Sequence, residues 1–125
     1  MSPTAKPKPR RKAASKPDDE ALVRAKIESW PEPFRDMGMR LHELVMQASP
    51  ELAPKLWYGM PGYSRGGPVL CFFRHDLYMT FGLSEKATFR RARETDQLME
   101  SSWFFTALDD GTEARITDIV RNATT

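Results

Sequence analysis

Nucleophilic catalysis needs a nucleophile, a base beside it and a third group that orients the base. This chain offers two histidines, His42 and His75, and one cysteine, Cys71. Cys71 lies inside Val69-Leu70-Cys71-Phe72-Phe73, the most hydrophobic stretch of the chain, which suits a small buried packing group. The sequence has no Gly-x-Ser-x-Gly elbow, no Gly-x-Gly-x-x-Gly fingerprint and no His-Glu-x-x-His metal motif. Gly66-Gly67-Pro68 reads as a hairpin turn rather than an anion cradle. One cysteine closes no internal disulfide and builds no cysteine zinc site by itself. The expectation is a non-enzymatic domain with no catalytic residue set.

Three other groups of residues bear on binding. The first is aromatic. Trp57, Tyr58, Met60, Pro61 and Tyr63 follow one another closely, and Phe72, Tyr78 and Phe81 come near them if the strands form a meander. Trp and Tyr on a sheet interrupted by glycine can line an apolar concavity with hydroxyl handles. Trp57, Tyr58, Met60, Pro61, Tyr63 and Tyr78 are the candidate pocket for a small ligand or a protein partner. The second group is acidic. Residues 18–51 hold eight acids against four bases. Glu32, Asp36 and Glu43 are the candidate oxygen ligands for a hard or borderline cation such as iron, although on a helix they do not converge with His42.

The third group is basic. Residues 1–17 carry Lys6, Lys8, Arg10, Arg11, Lys12 and Lys16 and no acid, a charge of +6. Residues 18–125 carry −4, so the formal net charge of +2 conceals a basic arm on an acidic domain. The arm is also rich in proline and lacks large apolar residues beyond Met1, so it cannot repay the entropy of ordering itself. A basic arm of this kind would touch nucleic acid weakly, without sequence preference and with strong salt dependence. It contains no aromatic ring on which a base could stack.

The elements that must position these groups follow from periodicity. At 125 residues the chain suits one domain with a tail, placed at 18–125 and 1–17. Asp18-Asp19-Glu20 favours a helix start, with Val23, Ile27 and Trp30 at helical spacing and Pro31 and Pro33 beyond them. A second helix is predicted from about Pro33 to Ala48. Its apolar stripe is Phe34, Met37, Leu41, Leu44, Val45 and Ala48, its opposite side includes Asp36 and Arg40 as an i,i+4 pair, and His42 falls at the stripe's edge. Lys55–Tyr63 reads as one strand that bends near Gly59. Val69–Phe73 reads as a strand, and Leu77, Met79 and Phe81 share a face of the next. Ser84 is expected to cap a helix running from Glu85 to about Glu94. Trp103–Leu108 reads as a last strand, and Thr112 as the N-cap of a final helix bearing Ile116, Ile119, Val120 and Ala123. The predicted fold is α+β: two N-terminal helices, an antiparallel sheet of four to five strands and a C-terminal helix, with the helices on one face. No apolar run is long enough to span a bilayer and no secretory leader is present, so a cytoplasmic location is expected. A sheet with apolar residues on both faces would favour a homodimer.

Trp57-Tyr58-Gly59-Met60-Pro61-Gly62-Tyr63, preceded by Leu41-His42-Glu43-Leu44-Val45 and Ala48-Ser49-Pro50-Glu51, resembles the YdhG-like family of small bacterial domains of unknown function. Phe81-Gly82-Leu83 and Trp103-Phe104-Phe105 stand where that family has its aromatic-Gly-Leu segment and its late strand. The resemblance covers about residues 20–123 and implies an α+β domain with no established activity. One branch of the family is similar to frataxin-type iron chaperones. By resemblance, the acidic helices here could hold iron for iron–sulfur cluster assembly.

Overall fold

The computed structural model describes residues 17–89 and 93–125. The order is α1 (Pro17–Glu28), α2 (Phe34–Ala48), β1 (Ala53–Trp57), β2 (Met60–Ser64), β3 (Val69–His75), β4 (Met79–Leu83), β5 (Ser102–Phe105) and α3 (Asp110–Ala123). The five strands form one antiparallel sheet in the order β1-β2-β3-β4-β5. This is the α+β fold with two leading helices and a C-terminal helix on the sheet. The first helix starts at Pro17, one residue before the expected boundary. The six tail cations lie outside the described residues.

Strand alternation sorts the side chains into two populations. Tyr63, Cys71 and Leu83 are aligned across β2, β3 and β4, and Phe73, Phe81 and Trp103 across β3, β4 and β5. These residues face the helices. Together with Val23, Ile27 and Trp30 of the α1 region, Leu41, Leu44 and Val45 of α2, and Ile116 and Val120 of α3, they make the core. The other face carries Lys55, Gly62, Phe72, Gly82 and Ser102 in one row, and Arg74, Thr80 and Phe104 in the next. No helix among the described residues covers it.

Several local expectations change. Lys55–Tyr63 is not one bent strand but a hairpin, with Trp57 paired to Met60. Both turn residues have positive φ, Tyr58 at 51° and Gly59 at 76°. Two successive left-handed residues match the twist of a two-residue hairpin and reverse the chain fully, which a bulge does not do. Leu77 does not join the β4 face. It sits in the Asp76–Tyr78 turn and is 83% exposed.

The helix expected over 85–94 is absent over 85–89 and at 93–94, while 90–92 lie outside the described residues. Ser84 does accept from the Lys86 N–H at 3.1 Å, but the Thr88 N–H then donates to the Ala123 carbonyl of α3. Tertiary hydrogen bonding thus outcompetes a local helix here. The last strand stops at Phe105, and α3 is capped by Asp109, not Thr112. The Asp109 carboxylate accepts from the Thr112 N–H at 2.8 Å. Arg40 passes over Asp36 and makes a two-pronged pair with Glu113 at 2.9 and 3.0 Å, joining α2 to α3.

Gly38 marks the closest approach of the α1 region to α2. A Cβ there would lie 2.8 Å from Ile27 Cγ2 and 2.8 Å from the Trp30 ring. Overpacking of this kind costs about 1–3 kcal/mol, against a helix-propensity gain of about 1 kcal/mol. Gly38→Ala is therefore expected to lower the urea unfolding midpoint with the slope unchanged. An unchanged or raised midpoint would show that Ile27 and Trp30 can yield.

Candidate functional site

The six candidate pocket residues do not converge. Pro61 and Tyr63 are fully buried on the helix side of the sheet. Trp57, Tyr58 and Met60 cluster at the β1–β2 hairpin tip. Tyr78 stands at the far side, 5.1 Å from the Phe104 ring. What the fold offers is an open sheet face bearing two ring groups.

The first group is built by β1, its turn and β3. Trp57 lies 4.9 Å from Tyr58 and 5.1 Å from Phe72, ring centre to ring centre. Two glycines make this possible. A Cβ on Gly82 would stand 2.6 Å from the Phe72 ring, and one on Gly62 would stand 2.8 Å from Trp57 Cβ. The rings therefore lie close over bare backbone, a close approach only glycine permits. Tyr58 is held in the left-handed region, uncommon for a bulky residue, with 85% of its surface exposed. The second group is Tyr78 with Phe104. Arg74 lies between the two groups in the row from Met60 to Phe104, and Lys55 lies beside Gly62; both cations are exposed.

Phe72 lies beside Trp57 as expected, whereas Arg74, Lys55 and Phe104 were not among the expected site residues. The alternation of β3, with Cys71 and Phe73 buried and Phe72 and Arg74 turned the other way, carries the signal that finds Arg74. Phe104 follows from the same reading of β5.

The titratable candidates are occupied elsewhere. Cys71 is fully buried, and desolvation pushes its thiol up to about 12. His42, expected at the edge of the stripe, is buried. Its Nδ1 is 2.7 Å from Tyr63 Oη and its Nε2 is 3.2 Å from Glu20 Oε2. Burial lowers the imidazole pKa. The neutral ring then donates from Nε2 to the Glu20 carboxylate and accepts at Nδ1 from the Tyr63 hydroxyl. Tyr63 in turn is raised by desolvation. His75 is stacked on Phe34 at 4.7 Å with its edge toward Trp30 at 4.9 Å.

The acidic candidates are solvated. Glu32 pairs with Arg35 at 3.4 Å, and Glu43 pairs with Arg40 at 3.4 Å. Asp36 is exposed, and its backbone N–H donates to Glu32. Among the described residues no three His, Cys, Asp or Glu side chains gather as a metal site. None of the helices there is long and apolar enough to cross a membrane.

No family model matches the chain, and neither a curated protein nor a solved structure does. The YdhG-like resemblance therefore stands on its motif residues alone.

The buried imidazole generates a pH prediction. A histidine whose folded pKa is depressed below its ordinary 6.5 favours the unfolded chain once protonation begins. Its stabilising share is complete above that value and is lost as the pH falls below it. Glu20, lowered chiefly by its hydrogen bond to His42, acts in the same direction at pH values below its ordinary 4.5, with a share reduced by its exposure. The thermal midpoint should thus fall between pH 7.5 and 5.5. Tyr63→Phe should cost about 1 kcal/mol in urea unfolding at pH 7.5. A midpoint flat across this range would contradict a neutral, buried His42.

Proposed function

We propose that this is a non-enzymatic binding domain whose working surface is the open face of the sheet, and that its ligand is single-stranded nucleic acid. The observation that carries the reading is the make-up of that face. The five strands contain no Asp or Glu at all. Exposed rings at Tyr58, Tyr78 and Phe104 and half-buried ones at Trp57 and Phe72 share it with the exposed cations Lys55 and Arg74. The acids instead populate the helices and turns, with Asp76 bordering the face in the β3–β4 turn.

Sequence-tolerant recognition of single strands combines cationic contacts to phosphate with aromatic platforms for the bases. The tail supplies six further positive charges but no ring. The face supplies the rings. The rings extend from Trp57 on β1 to Phe104 on β5, four strand spacings of about 4.8 Å each, so a short run of nucleotides can cross the face.

A small ligand at the hairpin tip is the neighbouring reading, favoured by the strained and exposed Tyr58. The two are separated by the length of nucleic acid required. A mononucleotide would suffice for a tip site, whereas the full face needs an oligomer.

Fluorescence anisotropy with a labelled 12-nucleotide oligothymidylate at low salt tests the proposal. Binding that weakens steeply with salt is expected. Trp57→Ala should cost about 1–3 kcal/mol, the worth of one stacked base. Arg74→Glu should weaken binding and flatten the salt dependence. Removing residues 1–16 should lower affinity without abolishing binding. No binding at 50 mM salt, or full binding by Trp57→Ala, would overturn the reading.

A further inference from the structure

The two edges of the sheet are built differently. β1 contains Pro54 and Lys55, residues that discourage further strand pairing. β5 is Ser102-Trp103-Phe104-Phe105, with no charge, no proline and no bulge in its pairing with β4. Among the described residues no strand pairs with its outer side.

Apolar exposure gathers at the same edge. The exposed large hydrophobic side chains of the described residues are Leu22, Tyr58, Leu77, Tyr78, Leu98, Met99 and Phe104. Five of these seven belong to β5, to the segment leading into it, or to the turn beside its end. On the helix side a groove of about 370 Å³ runs between β5 and α3, lined by Trp103, Phe105, Arg115, Ile116 and Ile119 among others.

The hydrogen-bond phase of the edge can be read. The Leu83 N–H donates to the Ser101 carbonyl at 2.7 Å. With Phe81 opposite Trp103 and Met79 opposite Phe105, alternation assigns the backbone groups of Ser101, Trp103 and Phe105 to β4. Those of Ser102, Phe104 and Thr106 are directed outward. An occupant of this edge must itself be an extended strand, because only a strand satisfies that alternating row of donors and acceptors.

We infer that the occupant is β5 of a second copy, paired antiparallel about a two-fold axis at Phe104. The sequence around that residue is self-complementary. With Phe104 opposite the second copy's Phe104, Ser102 meets Thr106 and every outward backbone group finds a partner. Trp103 then lies opposite the second copy's Phe105 over the groove, and the two Phe104 rings meet on the open face. Aromatic cross-strand pairs are among the stabilising ones in sheets, and an isologous contact leaves no free β5 edge for a third copy. The product is a continuous ten-stranded sheet. This inference does not rest on the nucleic-acid reading: the edge's backbone and sequence carry it, although Phe104 belongs to both surfaces.

Sedimentation equilibrium of the full chain is the test, with two cysteine variants fixing the register. The wild type should sediment at twice the chain mass, and Phe104→Lys, at a largely exposed position, should sediment as a folded monomer with unchanged circular dichroism. Under mild oxidation Phe104→Cys should form an intermolecular disulfide, because hydrogen-bonded partners have Cα atoms about 5.5 Å apart, within the range a disulfide bridges. Ser102→Cys should not, because in this register its own symmetry mate is about 13 Å away along the strand. A monomeric wild type, a dimeric Phe104→Lys, or cross-linking of Ser102→Cys in place of Phe104→Cys would each overturn the inference.

Discussion

The molecule is organised around one buried imidazole. His42 on α2 reaches Glu20 on α1 through one ring nitrogen and Tyr63 on β2 through the other. Three elements are thereby held in one geometry, and both ring nitrogens of the buried imidazole have a partner. Burying such groups unpaired would be costly, so the junction is specific as well as cohesive. Its presence on the helix side also decides which strand residues face inward. With Tyr63 committed to His42, Cys71, Phe73, Phe81 and Leu83 follow it into the core. Phe72, Arg74 and Phe104 are left on the opposite face.

That division separates charge as well as polarity. The helices carry nine acids against six bases. The strands carry no acid, only Lys55, Arg74 and His75. An acidic, ion-paired helix layer thus backs a sheet whose free face is aromatic and cationic. Arg40 between Glu43 and Glu113 illustrates how the helix-layer acids are used for holding helices together. The strands place no carboxylate on the opposite face, and its rings pack against one another.

The legibility of the fold varied with the kind of signal. α2 and α3 carry clear apolar stripes, and the core positions Leu41, Leu44, Val45, Ile116 and Val120 follow from them. The Trp57–Met60 turn was harder, because Gly59 alone is compatible with both a bulge and a reversal. The positive φ of Tyr58 decides between them, and tyrosine gives no warning of it. Ser84 shows the opposite failure. It has the chemistry of a helix cap and makes a capping bond, yet the chain beyond it is drawn to the end of α3. The candidate site was half legible. Aromatic density around Trp57 pointed to the right neighbourhood, but grouping by sequence proximity placed Pro61 and Tyr63 with Trp57, from which the pleat separates them.

By itself the sequence determined the two leading helices, the β3 and β5 strands and the final helix, together with the basic arm and the acidic balance of residues 18–125. These are properties of local period and composition, which act before any long-range contact forms. Only tertiary structure decided that His42 is a buried linker and not a surface group. The burial of Cys71 was already legible in its hydrophobic strand, whereas tertiary structure also decided that Phe72 lies over Gly82 while Phe104 stands at an unprotected edge. Each of these depends on strand register and on which helix covers which face. A shift of one residue in register would exchange every inward and outward side chain, and nothing within a single strand specifies which neighbour it will meet.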